Sequence, residues 1–315
     1  MNQTDCFHRI ADQIWCVDAN YVRPGNACLY LIGDQDEYAI IETGAASSEA
    51  NLLHTLQTLG IDHAQIRYVI PTHIHLDHAG AVGLYMQRFP DATLLVHPKG
   101  ARHMIDPTRL VASSKTVYGD QRFHELYGDI IPVAAQRVRE LADGEAIQIG
   151  SRTLTVMHTR GHADHHYCLW DERTRGWFSG DMFGVCYGPL RLASGNFVLP
   201  TTTPVQFDPD AYIDSVARLC AKQPARMYLT HFGALEFHQD QADLLCAQIQ
   251  TYAELGIQIG PDVNALNEAI MNDLMQRISA RENASVARSL IDEISADASL
   301  NADGVAVWRK RALGM

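Results

Sequence analysis

The chain is expected to be an α/β protein in which two sheets pack face to face with helices outside, followed by a helical extension. Three observations predict this. Strand-like apolar runs are mixed with helical periods in each half of the chain. Four of those runs end in a histidine- or aspartate-bearing segment, and the pattern after His231 is helical. Strands mixed with helices in both halves suit two packed sheets with helices on their outer faces.

Taken in order, Ile14 to Asp18, Cys28 to Ile32 and Tyr38 to Glu42 read as strands, with Gly33-Asp34-Gln35-Asp36 as the turn between the last two. A helix from Ser47 to Leu59 follows, then the apolar run Ile66 to Ile70 and its helix, then Thr93 to Val96 as a strand. After a middle segment come Ala146 to Ile149, Leu154 to Met157, Tyr167 to Trp170 and Gly176 to Ser179 as strands, a helix from Asp210 to Lys222, and the strand-like Met227 to Leu229. The tail reads as helices over Leu235 to Leu255, Asp262 to Ser279, Ala284 to Ser295 and Gly304 to Leu313. Leu266, Ile270, Leu274 and Ile278 fall at four-residue steps, and Gly260-Pro261-Asp262 gives a stop and a fresh N-cap. Residues 1–240 are expected to form the main body, with 98–132 as an insertion, and 241–315 a helical extension.

The chemistry is concentrated in Thr72-His73-Ile74-His75-Leu76-Asp77-His78-Ala79-Gly80, three imidazoles and a carboxylate within six positions. Side chains two apart on an extended segment point the same way, so His73 and His75 can grip one ion. If a helix starts near Asp77, the small residues Ala79, Gly80 and Ala81 let its first turn lie close to the strand, and Asp77 and His78 can face a second ion. Such donors suit zinc, iron or manganese. A loop of ordinary polar histidines would explain one imidazole but not this cluster. One loop cannot close a coordination sphere, and three later segments offer further ligands: Thr159-Arg160-Gly161-His162, Trp177-Phe178-Ser179-Gly180-Asp181 and Met227-Tyr228-Leu229-Thr230-His231.

On these residues, the chain resembles the metallo-β-lactamase superfamily of metal-dependent hydrolases. The resemblance covers roughly the first three quarters of the chain. It implies a four-layer αββα sandwich and two divalent transition-metal ions, with zinc expected ahead of iron or manganese. His73, His75 and His162 would hold one ion, and Asp77, His78 and His231 the other. Asp181 would bridge them, since a carboxylate has two oxygens to share and an imidazole one free lone pair. Two departures bear on subfamily rather than on ligands: Glu42-Thr43-Gly44 stands where many members have Asp-Thr-Gly, and Thr159-Arg160-Gly161-His162 where they have Thr-Pro-Gly-His. Arg160 reads either as a cation for an anionic substrate group or as a solvated loop arginine.

The implied chemistry is hydrolysis of a small ester, thioester or lactone by a metal-bound hydroxide, formed because the pKa of bound water falls from about 16 to about 7. Asp77 is the catalytic candidate, orienting the nucleophile or shuttling its proton. His158, His165 and His166 flank His162, and His166 is a candidate to hydrogen-bond a ligand. Asp181 with no cysteine ligand points away from penicillin-hydrolysing members and toward glyoxalase-II-like, lactonase-like and ribonuclease-Z-like ones. Lactonase relatives polarise substrate with a tyrosine, and the first tyrosine after Asp181 here is Tyr187. The insertion carries Met104, Tyr118, Phe123, His124 and Tyr127, either over the pocket, as the resemblance implies, or as an amphipathic cap on the core. The tail lines the pocket or forms a homodimer face.

Composition narrows the partners. A chain of 315 residues that is 47% hydrophobic can bury a large core, and no apolar run is long enough for a bilayer. A net charge of −12 argues against extended nucleic-acid binding, as Arg309-Lys310-Arg311 is the one clear basic cluster. Met1-Asn2-Gln3-Thr4-Asp5-Cys6 lacks a basic, apolar leader, and seven cysteines without a Cys-x-x-Cys pair read as reduced thiols, Cys186 as a buried one; both suit the cytoplasm. The other classes that stay open are a phosphodiesterase or ribonuclease, an iron-dependent dioxygenase, and a nonenzymatic regulator that retains its metal site.

Overall fold

The structure is a computed structural model that describes residues 6–202 and 205–315. The chain divides into two compact units: Met1–His158, His165–Gly180 and Ala225–Glu236 form the first, and Thr159–Asp164, Asp181–Pro224 and Phe237–Met315 the second.

The first unit holds both large sheets. One has seven strands in chain order: β1 (Phe7–Ala11), β2 (Ile14–Asp18), β3 (Cys28–Asp34), β4 (Glu37–Ile41), β5 (Ile66–Ile70), β6 (Thr93–Val96) and β7 (Val138–Glu140). It is antiparallel from β1 to β4 and parallel from β4 to β7. Helix α1 (Glu49–Leu59) joins β4 to β5, and α2 (Leu76–Ala79) and α3 (Val82–Arg88) join β5 to β6. Helices α4 (Pro98–Ile105), α5 (Thr108–Tyr118) and α6 (Asp120–Tyr127) occupy the insertion between β6 and β7. The other sheet is built from β8 (Ala146–Ile149), β9 (Arg152–His158), β10 (Tyr167–Asp171) and β11 (Gly176–Gly180). Strands β12 (Arg191–Leu192) and β13 (Gly195–Asn196) pair with each other in the second unit, and β14 (Arg226–Leu229) and β15 (Gly233–Glu236) complete the six-stranded order β15-β14-β11-β10-β9-β8.

The continuous apolar run of β3 follows from burial on both faces. Alternate residues point to opposite faces, so Leu29 and Leu31 join a core with Leu52 and Leu56 of α1 and Tyr85 of α3, while Cys28, Tyr30 and Ile32 meet Ile147, Leu154, Leu169 and Phe178 of the other sheet. Strand β2 divides the same way, Trp15 and Val17 against Ile14 and Cys16. Near the far ends of these strands, Arg152 and Asp171 form a fully buried two-pronged ion pair at 2.9 and 2.6 Å.

The second unit is mainly helical: α7 (Pro209–Ala221), α8 (Gln239–Ile259), α9 (Val263–Ser279), α10 (Ala284–Glu293) and α11 (Ser295–Ala312). Side-chain N-caps start three of them, Asp208 on α7, Asp262 on α9 and Asn283 on α10. The four-step row Leu266, Ile270, Leu274 and Ile278 is fully buried along α9.

Three expectations are corrected. Leu235 belongs to β15, paired with Met227, and the helix expected there begins at Gln239. The last helix begins at Ser295, not at Gly304; that glycine instead permits a close approach, as a Cβ on it would lie 2.1 Å from the Thr202 carbonyl oxygen. Strands β1 and β7 were not expected; neither has a buried residue, so they lack the apolar pattern that marks a strand. None of the seven cysteines is in a disulfide, and Cys16, Cys28, Cys168 and Cys186 are buried. No helix among the described residues is long and apolar enough to cross a membrane.

Candidate metal centre

The His73-to-His78 segment leaves the C-terminal end of β5, a parallel strand, and turns into α2. His75 is the extended N-cap residue of that helix, which sends His73 and His75 out from the chain before the turn closes. The small residues after His78 pack against the Gly44 segment that follows β4. Ala81 donates its N–H to the Gly44 carbonyl at 3.0 Å, and a Cβ on Gly80 would lie 2.3 Å from the Leu76 oxygen and 3.2 Å from that of Gly44.

Within the first unit five of the expected ligands come together. The His73 ring lies 4.4 Å from that of His75 and 4.0 Å from that of His78. Asp77 Oδ2 stands 3.3 Å from His231 Nε2 and 3.6 Å from His78 Nε2. Asp77, His78 and His231 each offer a ligand atom within 4.8 Å of the other two. His231 follows β14, and its Nδ1 donates to the Asn26 carbonyl at 2.9 Å, which leaves Nε2 toward Asp77.

Glu42 organises this cluster. It is buried with a backbone φ of 66°, in the left-handed region that a non-glycine residue seldom adopts. Its carboxylate receives the Thr72 N–H at 3.0 Å, the Thr72 hydroxyl at 2.5 Å, the Thr230 hydroxyl at 3.0 Å and His78 Nδ1 at 3.1 Å. One acid therefore fixes the residue before His73, the residue before His231 and the ring of His78. The sequence marked Glu42 only as a departure from a family motif; its part as a hub had no signal in spacing.

Within the second unit His162 and Asp181 come together, with Nε2 and Oδ2 3.6 Å apart. His162 Nδ1 contacts the Thr201 carbonyl oxygen at 3.0 Å and its hydroxyl at 2.9 Å. Gly161 adopts φ 122°, and a Cβ there would lie 2.2 Å from Tyr212 Cα, so the Gly-His step requires glycine. Tyr212 donates its hydroxyl to the Asp181 carbonyl at 2.7 Å. Arg160 is the solvated loop arginine: its side chain is 60% exposed and pairs with Asp164 at 2.9 Å and Asp208 at 3.8 Å. It helps line a 350 Å³ cavity with Phe207, Trp308 and Arg311.

The neighbouring candidates separate. His158 bonds the Leu141 carbonyl oxygen through Nε2 and stacks near His97. His165 and His166 lie beside His73, with ring centroids at 6.1 and 4.9 Å. Burial pushes the Cys186 thiol up to about 11, as expected of a structural cysteine. The Tyr187 hydroxyl donates to Asp297. In the insertion, Met104 joins the main core, Phe123 and Tyr127 form a small cluster with Ala45 and Leu76, and His124 is exposed.

The donor spacing fits metal ions. Ligand bonds of about 2.0–2.2 Å around a tetrahedral ion put neighbouring ligand atoms roughly 3.4 Å apart. The carboxylate–imidazole separations of 3.3 to 3.6 Å match that edge, and Nδ1 of His78, His162 and His231 is engaged by other groups, which leaves Nε2 as the atom that could bind an ion.

Residues 22–231 match the family model of the metallo-beta-lactamase superfamily. The chain belongs to this superfamily. It is 25% identical over 214 residues to the metallo-beta-lactamase fold-containing protein ST1585 of Sulfurisphaera tokodaii, covering 67% of this chain and 74% of that protein. The crystal structure of the archaeal superfamily protein ST1585 from Sulfolobus tokodaii shares the fold at a TM-score of 0.60 and 22% identity, over 77% of this chain and 87% of that one. Acyl-coenzyme A thioesterase MBLAC2 of Bos taurus is 26% identical over 190 residues, 55% of this chain and 64% of its own length. N-acyl homoserine lactonase AttM of Rhizobium radiobacter is 32% identical over 114 residues, 36% of this chain and 39% of its own length. The α/β architecture with C-terminal helices is thus the superfamily fold, and the His, Asp and Glu clusters are groups able to bind metal.

Proposed function

We propose that this protein is a dinuclear hydrolase of small esters, thioesters or lactones. The observation that carries the reading is the clustering of Asp77, His78 and His231 with spacings of 3.3 and 3.6 Å that suit a bound cation. Following the superfamily's ligand order, His73, His75 and His162 take one ion, Asp77, His78 and His231 the other, and Asp181 the bridging place. Zinc suits this set of imidazoles and carboxylates without a thiolate. When bound, the ions supply an activated water and Lewis-acid stabilisation of the developing oxyanion.

The chain's own residues then have defined tasks. Asp77, 24% exposed, holds or moves the proton of the attacking water at its carboxylate. His78 and His231 keep Nε2 directed at the site because Glu42 and the Asn26 carbonyl accept at Nδ1. Similarity to an acyl-coenzyme A thioesterase and an acyl homoserine lactonase supports acyl chemistry, and a charge of −12 disfavours a long polyanion such as RNA. The test is metal analysis of purified protein beside a panel of ester, thioester, lactone and phosphodiester substrates. Metal-dependent turnover is expected on the acyl compounds; a kcat/KM on RNA or a phosphodiester well above every acyl substrate overturns the assignment.

A further inference from the structure

The second unit holds a 350 Å³ cavity whose walls come from three stretches of its chain. Arg160 and Asp164 stand on the loop that carries His162, Gln206 and Phe207 lead into α7, and Trp308 and Arg311 lie near the end of α11. The loop is tied to the second stretch: Asp164 N–H donates to Gln206 Oε1 at 2.8 Å, and Asp208 N–H donates to the Gly161 carbonyl at 2.9 Å. Helix α11 is tied to that stretch as well, since the Arg311 guanidinium donates to the Val205 carbonyl at 2.9 Å and to that of Phe207 at 2.5 Å. The Trp308 indole meets the Phe207 ring edge-on at 6.2 Å, which gives the cavity an aromatic wall of half-buried Trp308 against fully buried Phe207.

The charges on these walls do not cancel. Arg160 is matched by Asp164 at 2.9 Å. Asp208 accepts the Ala211 N–H at 3.2 Å as the N-cap of α7, where the helix dipole favours a negative charge. Arg311 has no carboxylate partner among the described residues, and Arg309 and Lys310 beside it carry the same sign. The C-terminal dipole of α11 is worth about half a charge, too little for three cations in its last turn. Pinning two carbonyls leaves the other guanidinium N–H groups of Arg311 available, and the Gln206 amide, whose oxygen is taken by Asp164, offers its own N–H groups. Fastening this stretch to α11 explains the two carbonyl bonds, not an unmatched cation beside an open aromatic wall.

We propose that this cavity binds a monocarboxylate with an apolar body, the carboxylate on Arg311 and the Gln206 amide and the body against Trp308 and Phe207. A planar carboxylate matches the fork of guanidinium N–H groups. A phosphate dianion suits the walls less, because Asp164 and Asp208 line them too and repel a second negative charge. Body and head are both needed: the aromatic wall removes apolar surface from water, and Arg311 supplies the one unmatched charge. The carboxylate released by acyl hydrolysis belongs to this class. On the acyl-hydrolase reading above, the site therefore takes the product of the protein's own reaction, whereas carboxylate binding itself does not depend on that reading.

Trp308 is the only tryptophan of the second unit, Trp15, Trp170 and Trp177 belonging to the first, so its fluorescence reports on the cavity. The experiment titrates the full chain, metal-replete and chelator-stripped, with phenylacetate, its uncharged analogue phenylacetamide, and acetate, read by fluorescence and calorimetry. Phenylacetate should bind with a Kd that agrees within about 3-fold between the two forms, and phenylacetamide and acetate should each bind at least about 10-fold more weakly. Arg311→Gln should weaken phenylacetate about 10- to 100-fold. Because that change also unpins the Val205 and Phe207 carbonyls, Ala312→Phe is the second variant: it fills the cavity from an exposed helix end and should abolish binding without changing the Tm of the ligand-free protein. The fluorescence response should vanish in Trp308→Phe. No binding by wild type, equal binding of phenylacetate and phenylacetamide, binding that survives Ala312→Phe, or binding that requires metal each overturns the proposal. Absence of turnover on every acyl substrate removes the product role alone, and the Kd values still decide the site.

Discussion

Glu42 accepts a hydrogen bond from His78 Nδ1 at 3.1 Å, and both side chains are fully buried. Glu42→Gln keeps the shape but replaces an acceptor with a donor amide among four inward-pointing donors. It should cost about 1–3 kcal/mol in urea unfolding and weaken metal affinity about 10- to 100-fold. An unchanged metal Kd would show that His78 does not need this orientation.

Metal content is the second prediction. Fully loaded protein should hold two transition-metal ions, and Asp181→Ala should lose one or both, read by elemental analysis. A ceiling of one ion in wild type rules out the dinuclear assignment.

For Asp77, replacement by asparagine should lower kcat by about 100- to 10,000-fold with a much smaller change in KM. The wild-type rate should rise with pH through an apparent pKa that vanishes when metal is removed. Full kcat in metal-replete Asp77→Asn would take this residue out of proton handling.

Away from the centre, Arg152→Ala strands the Asp171 carboxylate, buried at 0% exposure. The expected loss is about 3–5 kcal/mol by denaturant unfolding, with kcat near wild type at low temperature. A loss under about 1 kcal/mol would mean that water enters to replace the guanidinium.

Asp34 supplies a pH signature. Hydrogen bonds from Arg173 and Ser151 hold its carboxyl well below the ordinary value of 3.8. A depressed folded-state pKa gives stability that is present above the unfolded value and lost as pH falls through the folded one. Asp34→Asn should therefore lower Tm at pH 7 by more than at pH 2, the deficit shrinking as pH falls below 3.8, and an equal drop at both would assign the effect to packing.

The sequence made the strands and the ligand string legible because each rests on local pattern: β3 is apolar throughout when both faces are covered, and His73 to His78 is compact enough to read without an alignment. Glu42 as a hub was not legible, since its four donors come from residues 30, 36 and 188 positions away. Gly304 misled as a helix start because a close approach to Thr202 and a helix boundary favour the same residue.

The insertion is held at its two ends. His97 caps α4 by accepting the Lys99 N–H at 3.0 Å and rests on His158, and at the far end Ile131 sits on Gly83, where a Cβ would come within 1.9 Å of its carbonyl oxygen. Between those anchors the chain contributes none of the seven expected ligands. The segment is tied to the ligand-bearing helix through its middle as well: Phe123 and Tyr127 pack on Ala45 and Leu76, so any stretch grafted between residues 98 and 131 would have to rebuild the packing beside Asp77.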